Sequence, residues 1–567
     1  MWRRLCLFIS LWLMKNAVLQ GTPVSEPCHS NYRNVYPYTG IETPYSYIYD
    51  NSTAGSMTLT NCKPMQIWML TRHGTEYPSE TMMKTIVGIA ERSRPHFQNI
   101  VKKVYGRMTT IVSERELLRH LNSDSWKMVD RFVLIFVILN GLFPVGIPLY
   151  AKVPKNWDTC PAFGRKRKEK YLTRQGEKDM LALGQRIRAK LPTLFFENVT
   201  KSFKVEFRST AAQSTTASML TFAKGAFDVD LRLIPNNNNS KFESMNVEQE
   251  IITKLFEGAE GNVLNFRVVP VVNDTLLKLY DTCESWYSVF NEQVAKFVNG
   301  PEMAKVVDDV SRYLSLPDPI KQESVAQLYD VCRFERAVCP EKPSPWCDVF
   351  TNDQMRTYEY QDDLFSYYDV GPGEKINGKL GCHLVRDMFE HFTKLEIYDD
   401  EPSGVFYFAD FQMISLFLTA MGIGRDSVPP TAANFRDTSY RSWKVSQLVP
   451  SAANFAAVFH RCNSRNTPFK VSFYLNESPV TLEGCEDGIC NWAQLKKKLG
   501  IIAANCNEKI CEKNFGQNTE SSSARWLNTT TVRVKIPPKS EREFVLLPRL
   551  PKNYTINFEK AEEENPL

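Results

Sequence analysis

Met65–Pro78, MQIWMLTRHGTEYP, is the stretch on which the reading of this 567-residue chain turns. Met65–Leu70 is a short apolar run, the pattern of a buried strand. It stops at the polar turn Thr71-Arg72-His73-Gly74. A histidine at the C-terminal end of a strand lies where ligand crevices open in α/β sheets. An imidazole can attack phosphorus, and an adjacent arginine can hold phosphate oxygens with a planar fork of donors. A loop histidine bonded to a neighbouring carbonyl fits the same residues, and local sequence leaves both readings open.

Working outward, the same rhythm repeats. Lys170–Lys190 carries helical periodicity, Phe203–Phe207 alternates like a strand, and Ala217–Phe227 reads as an apolar helix after a Ser/Thr-rich turn. Strand, loop and helix in succession predict an α/β sheet. Residues 229–370 read as a mostly helical insertion, with helices expected at Val247–Glu257, Thr275–Val298, Ala304–Leu314 and Ile320–Ala337. Strand patterns return at Gly404–Phe408, Asn454–Phe459 and Phe469–Leu475, with a helix expected at Gln412–Met421. Residues 22–60 read as an extended lead-in, and Thr530–Ile536 as an edge strand in a polar tail. The expected division is 1–21, signal; 22–228, first part of the core; 229–370, helical cap; 371–490, second part of the core; and 491–567, extension.

Lys and Arg total 69 against 64 Asp and Glu, a net charge of +5, with 43% hydrophobic residues. That excludes a disordered chain, a collagen-like repeat and a polytopic membrane protein. So small a charge gives no global reason to bind nucleic acid. Arg3 and Arg4 followed by the apolar Leu5–Met14 and small residues near Gly21 form a secretory signal pattern. The ending Glu564-Asn565-Pro566-Leu567 is not an ER-retrieval tetrapeptide. A secreted, lumenal or cell-surface location follows.

Cys28, Cys62, Cys283, Cys332, Cys339, Cys347, Cys382, Cys462, Cys485, Cys490, Cys506 and Cys511 then read mostly as disulfides, with Cys160 the odd one. Cys485 and Cys490 are expected to pair across the loop CEDGIC, and Cys506 with Cys511. Spacings are too wide and the histidines too scattered for a zinc site, and no metal or organic cofactor is implied. Sequons at Asn51, Asn198, Asn238, Asn273, Asn476, Asn528 and Asn553 predict a glycosylated surface. Phe132–Ala151 is uncharged and long enough to span a bilayer, but Gly141, Pro144, Gly146 and Pro148 break a helix. It reads as a span, as a folded insertion or as a gene-model artefact. A span would send later cysteines and sequons into a reducing cytosol, so membrane association is not favoured. The basic run Arg165–Lys168 suits either a polyanion or a solvated loop.

RHGTEYP resembles the RHG motif of the histidine acid phosphatases. The wider chain resembles that family's multiple inositol polyphosphate phosphatase branch at Ile67–Pro78, Tyr171–Gly176, Phe207–Phe227, Tyr329–Glu335, Ser344–Phe350, Val445–Phe455 and Val471–Glu477. The resemblance lapses at 129–165, which is expected to be dispensable to the fold. It implies an α/β core flanked by helices, with the helical segment 229–370 as an inserted cap. It also implies hydrolysis of phosphomonoesters such as inositol polyphosphates through a phosphohistidine. His73 would be the nucleophile, and Arg72 and Arg208 would hold phosphate; a structural arginine at a strand end fits Arg208 equally.

Several positions depart from the family pattern. Glu76 and Ser214 stand where the family has phosphate-binding arginines. Asp410 falls at the late motif's histidine and Gln412 at its acid. Asp410 is a candidate substitute acid, since a buried carboxyl can keep its proton near neutral pH. The alternative is a catalytically impaired phosphatase acting as a secreted binding protein. His73, Arg72, Glu76, Ser214 and Asp410 are expected to meet at a cleft between core and cap.

Overall fold

The computed structural model describes residues 34–51, 56–88, 169–195, 204–227, 249–254, 263–271, 274–286, 292–314, 320–342, 344–398, 401–485, 487–511, 531–533 and 555–557. The signal-like segment 1–21, the apolar run Phe132–Ala151 within 129–165, the basic run Arg165–Lys168, Cys28 and Cys160 lie outside them, as do all the sequons except Asn51 and Asn476. Among the described residues no helix is long and apolar enough to cross a membrane.

In chain order, β1 (Cys62–Arg72) precedes α1 (Arg174–Lys190), β2 (Lys204–Thr210) and α2 (Gln213–Phe227). Strands β3 (Gln249–Lys254) and β4 (Val263–Val269) follow, then the helices α3 (Glu292–Val298), α4 (Pro301–Tyr313), α5 (Gln322–Val338), α6 (Asn352–Asp369) and α7 (Lys375–Ile397). Next come β5 (Gly404–Ala409), α8 (Phe411–Ala420), β6 (Asn454–Cys462), β7 (Phe469–Leu475), β8 (Ser478–Pro479), β9 (Ile489–Asn491) and α9 (Trp492–Ala504). The sheet order is β3-β4-β2-β5-β1-β6-β7-β8, with β9 also paired to β7. Strands β4, β2, β5 and β1 run parallel, while β3 and β6–β9 are antiparallel to their neighbours.

Strand β1 is central, and Ile67–Leu70 are all 0% exposed, which is why its sequence runs apolar without alternation. Alternate side chains serve opposite layers. Trp68 and Leu70 pack with Leu384 of α7 and Phe417 of α8, whereas Ile67 and Met69 pack with Leu183 of α1 and Phe222 of α2. A third apolar cluster joins α3–α6 through Phe297, Val306, Val325 and Tyr358. Thr173 caps α1, and a Thr351–Gln354 capping box opens α6.

Three expectations change. Val247–Glu257 contains strand β3, not a helix, and with β4 it extends the core sheet beyond β2. Its pairing with β4, Ile251 opposite Phe266, outweighs the short helical periodicity. Thr275–Val298 forms short 3-10 turns at Leu279–Thr282 and Glu284–Trp286 before α3. The lead-in is folded, with Tyr36 and Tyr45 buried and the Tyr45 hydroxyl donating to Glu477 at 3.1 Å. In the tail, Thr531–Arg533 is a strand paired in parallel with Thr555–Asn557.

Cys485 pairs with Cys490. The Cys506–Cys511 pairing is overturned: Cys506 bonds Cys382 and Cys511 bonds Cys283. Cys62–Cys462 and Cys332–Cys347 are the other described bridges, and Cys339 is disulfide-bonded too. Locality misled because both C-terminal cysteines face distant partners across packed helices.

The sequon at Asn476 is occupied by the fold. Its amide nitrogen donates to Gln447 O at 2.7 Å, and its oxygen accepts from the Asn454 N–H at 3.0 Å. Glycopeptide mapping of the protein expressed through a secretory pathway should find Asn476 bare while the exposed Asn51 carries glycan.

His460, on β6, is 0% exposed, and its Nε2 lies 2.9 Å from the Ser472 hydroxyl. Burial pushes its pKa down to about 4. The unfolded chain takes up this proton near 6.5, so between about pH 6.5 and 4 it binds more protons than the fold. Stability falls as pH drops through that window, by roughly 3 kcal/mol for this group. Comparing urea unfolding at pH 7 and pH 4.5 should show a smaller acid loss in His460→Gln than in the parent.

Candidate active site

The parallel strands β1, β5, β2 and β4 bring their C-terminal ends to one edge. Arg72 closes β1 in register with Ala409, and the His73 N–H donates to Ala409 O at 3.0 Å. That sets His73 beside Asp410, the residue after β5. Ser209 of β2 is in register with Phe408 on the other flank of β5. The turns after β4 carry Asp274, Lys278, Tyr280 and Asp281. Gly74 lets the loop after β1 pack directly against the start of α1: a Cβ there would lie 2.8 Å from both Cα and O of Gly176.

His73 is 5% exposed. Its Nδ1 lies 2.8 Å from Gly74 O, a carbonyl that can only accept, so Nδ1 carries the hydrogen and Nε2 the lone pair. Burial lowers the His73 pKa and keeps the ring neutral; Glu76 pulls the other way. Arg72, 4% exposed, donates through Nη1 to Ile41 O at 2.7 Å and Val449 O at 2.9 Å. Its Nε is buried without a partner, as are Thr75 Oγ1 and Arg208 Nε.

Glu76 and Ser214 meet. The Glu76 carboxylate lies 3.7 Å from His73 Nδ1 and 3.4 Å from Lys170 Nζ, and the Ser214 hydroxyl donates to it. Burial pushes the Glu76 carboxyl up, but its surroundings outweigh that and hold it below the ordinary value. The groups that lower it are the His73 ring first, where it carries charge, then Lys170 and the Ser214 hydroxyl. An acid and a hydroxyl thus pair with each other at two positions where the family resemblance calls for arginines.

Asp410 caps α8, accepting from the Met413 N–H at 3.2 Å, which accounts locally for an aspartate here. It pairs with Lys278 at 2.5 Å and accepts from the Tyr280 hydroxyl. Burial would raise its pKa, but Lys278 and Tyr280 outweigh burial and lower it. The proton-holding carboxyl expected at Asp410 is therefore not what this setting favours. Gln412 is half-buried in the first turn of α8 and supplies no carboxylate. Arg208 is tied to Asp274 by a 2.5 Å ion pair, the structural alternative for this residue, while its Nε stays unpartnered.

Sequence reasoning missed Lys278, Tyr280, Lys170 and Glu42. Glu42 lies near Arg72 and Arg333, and burial raises its pKa. Lys278 and Tyr280 were hidden inside an expected helix, and Lys170 lay beside the anomalous insertion. A cavity of about 440 Å³ lies apart from this group, lined by Tyr367, Tyr368, Arg425 and Asp426 among others.

The model of the histidine phosphatase superfamily (branch 2) matches residues 65–476. Multiple inositol polyphosphate phosphatase 1 of Drosophila melanogaster is 26% identical over 494 residues, covering 86% of this chain and 90% of that protein. The Homo sapiens protein of the same name is 29% identical over 259 residues, covering 43% and 53%. The D. castellii phytase structure superposes with a TM-score of 0.56 at 16% identity, covering 88% of this chain and 91% of the phytase. The Bifidobacterium longum multiple inositol polyphosphate phosphatase bound to inositol hexasulfate gives 0.53 at 14% identity, covering 82% and 97%. The family match runs from within β1, just ahead of His73, through β5, just ahead of Asp410, and takes in β2 and β4 between them; on it this chain belongs to the histidine phosphatase superfamily, branch 2.

Proposed function

We propose that this chain is a slow phosphomonoesterase of the multiple inositol polyphosphate phosphatase kind, acting on inositol polyphosphates through a phosphohistidine at His73. One observation carries this: a buried, neutral imidazole whose Nδ1–H is spent on Gly74 O, leaving Nε2 as a nucleophile. The unpartnered donors Arg72 Nε, Thr75 Oγ1 and Arg208 Nε support it, since a phosphoryl group brings acceptors to such atoms. The relatives, multiple inositol polyphosphate phosphatases, supply the substrate class. The disulfides fit an oxidising compartment, and we place the protein in the secretory pathway.

Slowness follows from the departures. Hydrogen bonds to charged groups contribute about 1.5–3 kcal/mol each, so two absent arginines cost roughly 3–6 kcal/mol. At 1.36 kcal/mol per tenfold, that is about a hundred- to ten-thousand-fold in rate. An ionised Asp410 also protonates a leaving alcohol poorly. The second reading, a phosphomonoester-binding protein without turnover, draws on that same ionised Asp410.

The test is phosphate release from phytate and from p-nitrophenyl phosphate by the purified secreted protein. Slow release abolished in His73→Ala, with an acid limb below pH 6.5 because burial lowers the His73 pKa, is the expected result. Binding of phytate with no release above the His73→Ala background would establish the second reading instead.

A further inference from the structure

Glu76 lies beside the nucleophilic ring at Nδ1 rather than at its reacting atom, and this has a consequence for the phosphoryl intermediate that rests on the phosphatase reading above. Its carboxylate is 3.7 Å from His73 Nδ1, with its side chain only 16% exposed. The backbone holds it in place: Glu76 forms a bridge with Leu172, and Thr75 O accepts from the Thr173 N–H at 2.8 Å. The His73 ring itself, Lys170 at 3.4 Å and the Ser214 hydroxyl all favour the ionised carboxylate.

In the transfer, the Nε2 lone pair forms a bond to phosphorus. The phosphorus–ester oxygen bond breaks, its electron pair leaves on the alcohol oxygen, and water supplies that oxygen's proton. The ring keeps its Nδ1–H and becomes cationic. A carboxylate beside Nδ1 stabilises the charge as it develops, as an oriented negative group does for any imidazolium. Hydrolysis reverses this. Water attacks phosphorus, the phosphorus–Nε2 bond breaks with its pair returning to nitrogen, and the ring loses the charge that Glu76 favours. We propose that Glu76 is a positioning residue that speeds phosphorylation of His73 and slows its hydrolysis, so that this chain accumulates as the phosphohistidine form. The same charge lies near the phosphate and weakens ground-state binding, which Lys170 offsets only in part.

The test is rapid-quench labelling of the full secreted chain with 32P-labelled p-nitrophenyl phosphate, scoring protein label that survives alkali and is lost in acid. The parent should label close to one phosphoryl group per chain. Glu76→Gln should label about a hundredfold more slowly while binding the ester more tightly, a split between rate and KM that a folding defect does not produce. Its labelling rate should also keep its acid limb at lower pH, because the carboxylate that raises the His73 pKa is gone. Glu76→Asp should recover part of the labelling rate. Equal labelling rates and equal acid limbs in parent and Glu76→Gln would overturn the role of Glu76 while leaving the phosphatase reading intact. No label in the parent at any ester concentration would overturn the phosphatase reading itself. A melting temperature matched between variants keeps the comparison about the site.

Discussion

Arg441→Met should destabilise the fold by about 3–5 kcal/mol, the cost of stranding buried charge. The Arg441 side chain is 2% exposed and lies between α6 and the loop before β6. Its Nη2 donates to Glu359 at 2.7 Å and to Asp363, and its Nε donates to Asp363 at 2.7 Å. The guanidinium also sits 4.9 Å from the Tyr360 ring centroid. Burial and the neighbouring Glu359 push the Asp363 carboxyl well above its usual range, and Arg441 is what opposes them. Methionine keeps much of the volume but leaves two carboxylates, on successive turns of α6, buried side by side. Urea unfolding at pH 7 should show the loss. The triple variant Arg441→Met, Glu359→Gln, Asp363→Asn should recover much of it, because no charge then remains to be neutralised. A triple variant no more stable than the single one would mean that packing, rather than charge, sets the cost.

The second large effect is on anion binding. Glu76→Arg with Ser214→Arg should tighten inorganic phosphate binding by at least about a hundredfold, since two charge-assisted donors replace one negative charge and a hydroxyl. The two positions already meet across the His73 loop, so both new side chains reach the same space. Titration calorimetry with phosphate reads this directly, and an unchanged affinity would mean that the anion does not sit between these positions. Hydrolysis should remain slow in the double variant, because Asp410 stays ionised against Lys278. Adding Asp410→His and Gln412→Glu supplies an acid but strips Lys278 of a partner, leaving it Asp281 at 3.2 Å. Recovery of turnover should then improve further when Lys278 is replaced by Met.

What was legible in the sequence was what local pattern decides. Strands β1, β5 and β6 announced themselves as continuous apolar runs because both of their faces are covered. The Cys485–Cys490 bridge was readable because the two cysteines are only five positions apart, with Gly488, at φ +75°, in the loop between them. Strands β3 and β4 were not, because their identity comes from pairing with each other and with β2 rather than from their own periodicity. The site divided in the same way. His73, Arg72 and Asp410 stand at strand ends, where position along the chain fixes position in space. Lys278 and Tyr280 reach Asp410 from irregular turns more than 100 residues earlier in the chain. No pattern in their own neighbourhood encodes that meeting. Nor does sequence tell a carboxyl that keeps its proton from one held ionised; for Asp410 the ammonium beside it decides.

The position of β1 in the sheet also governs when the molecule can be made. The strand that leads into His73 is flanked by β5 and β6, and its first residue is bridged to Cys462 across a separation of 400 residues. At synthesis rates of roughly 5–20 residues per second, β1 leaves the ribosome about 20–80 s before its disulfide partner exists. Until β5 and β6 are made, α1 and α2 can cover one face of β1, but both of its edges stay open and Cys62 lacks its partner. Assembly of the edge that carries the candidate site must therefore wait for nearly the whole chain. During that wait its open edges are the part of the fold most exposed to pairing with other strands.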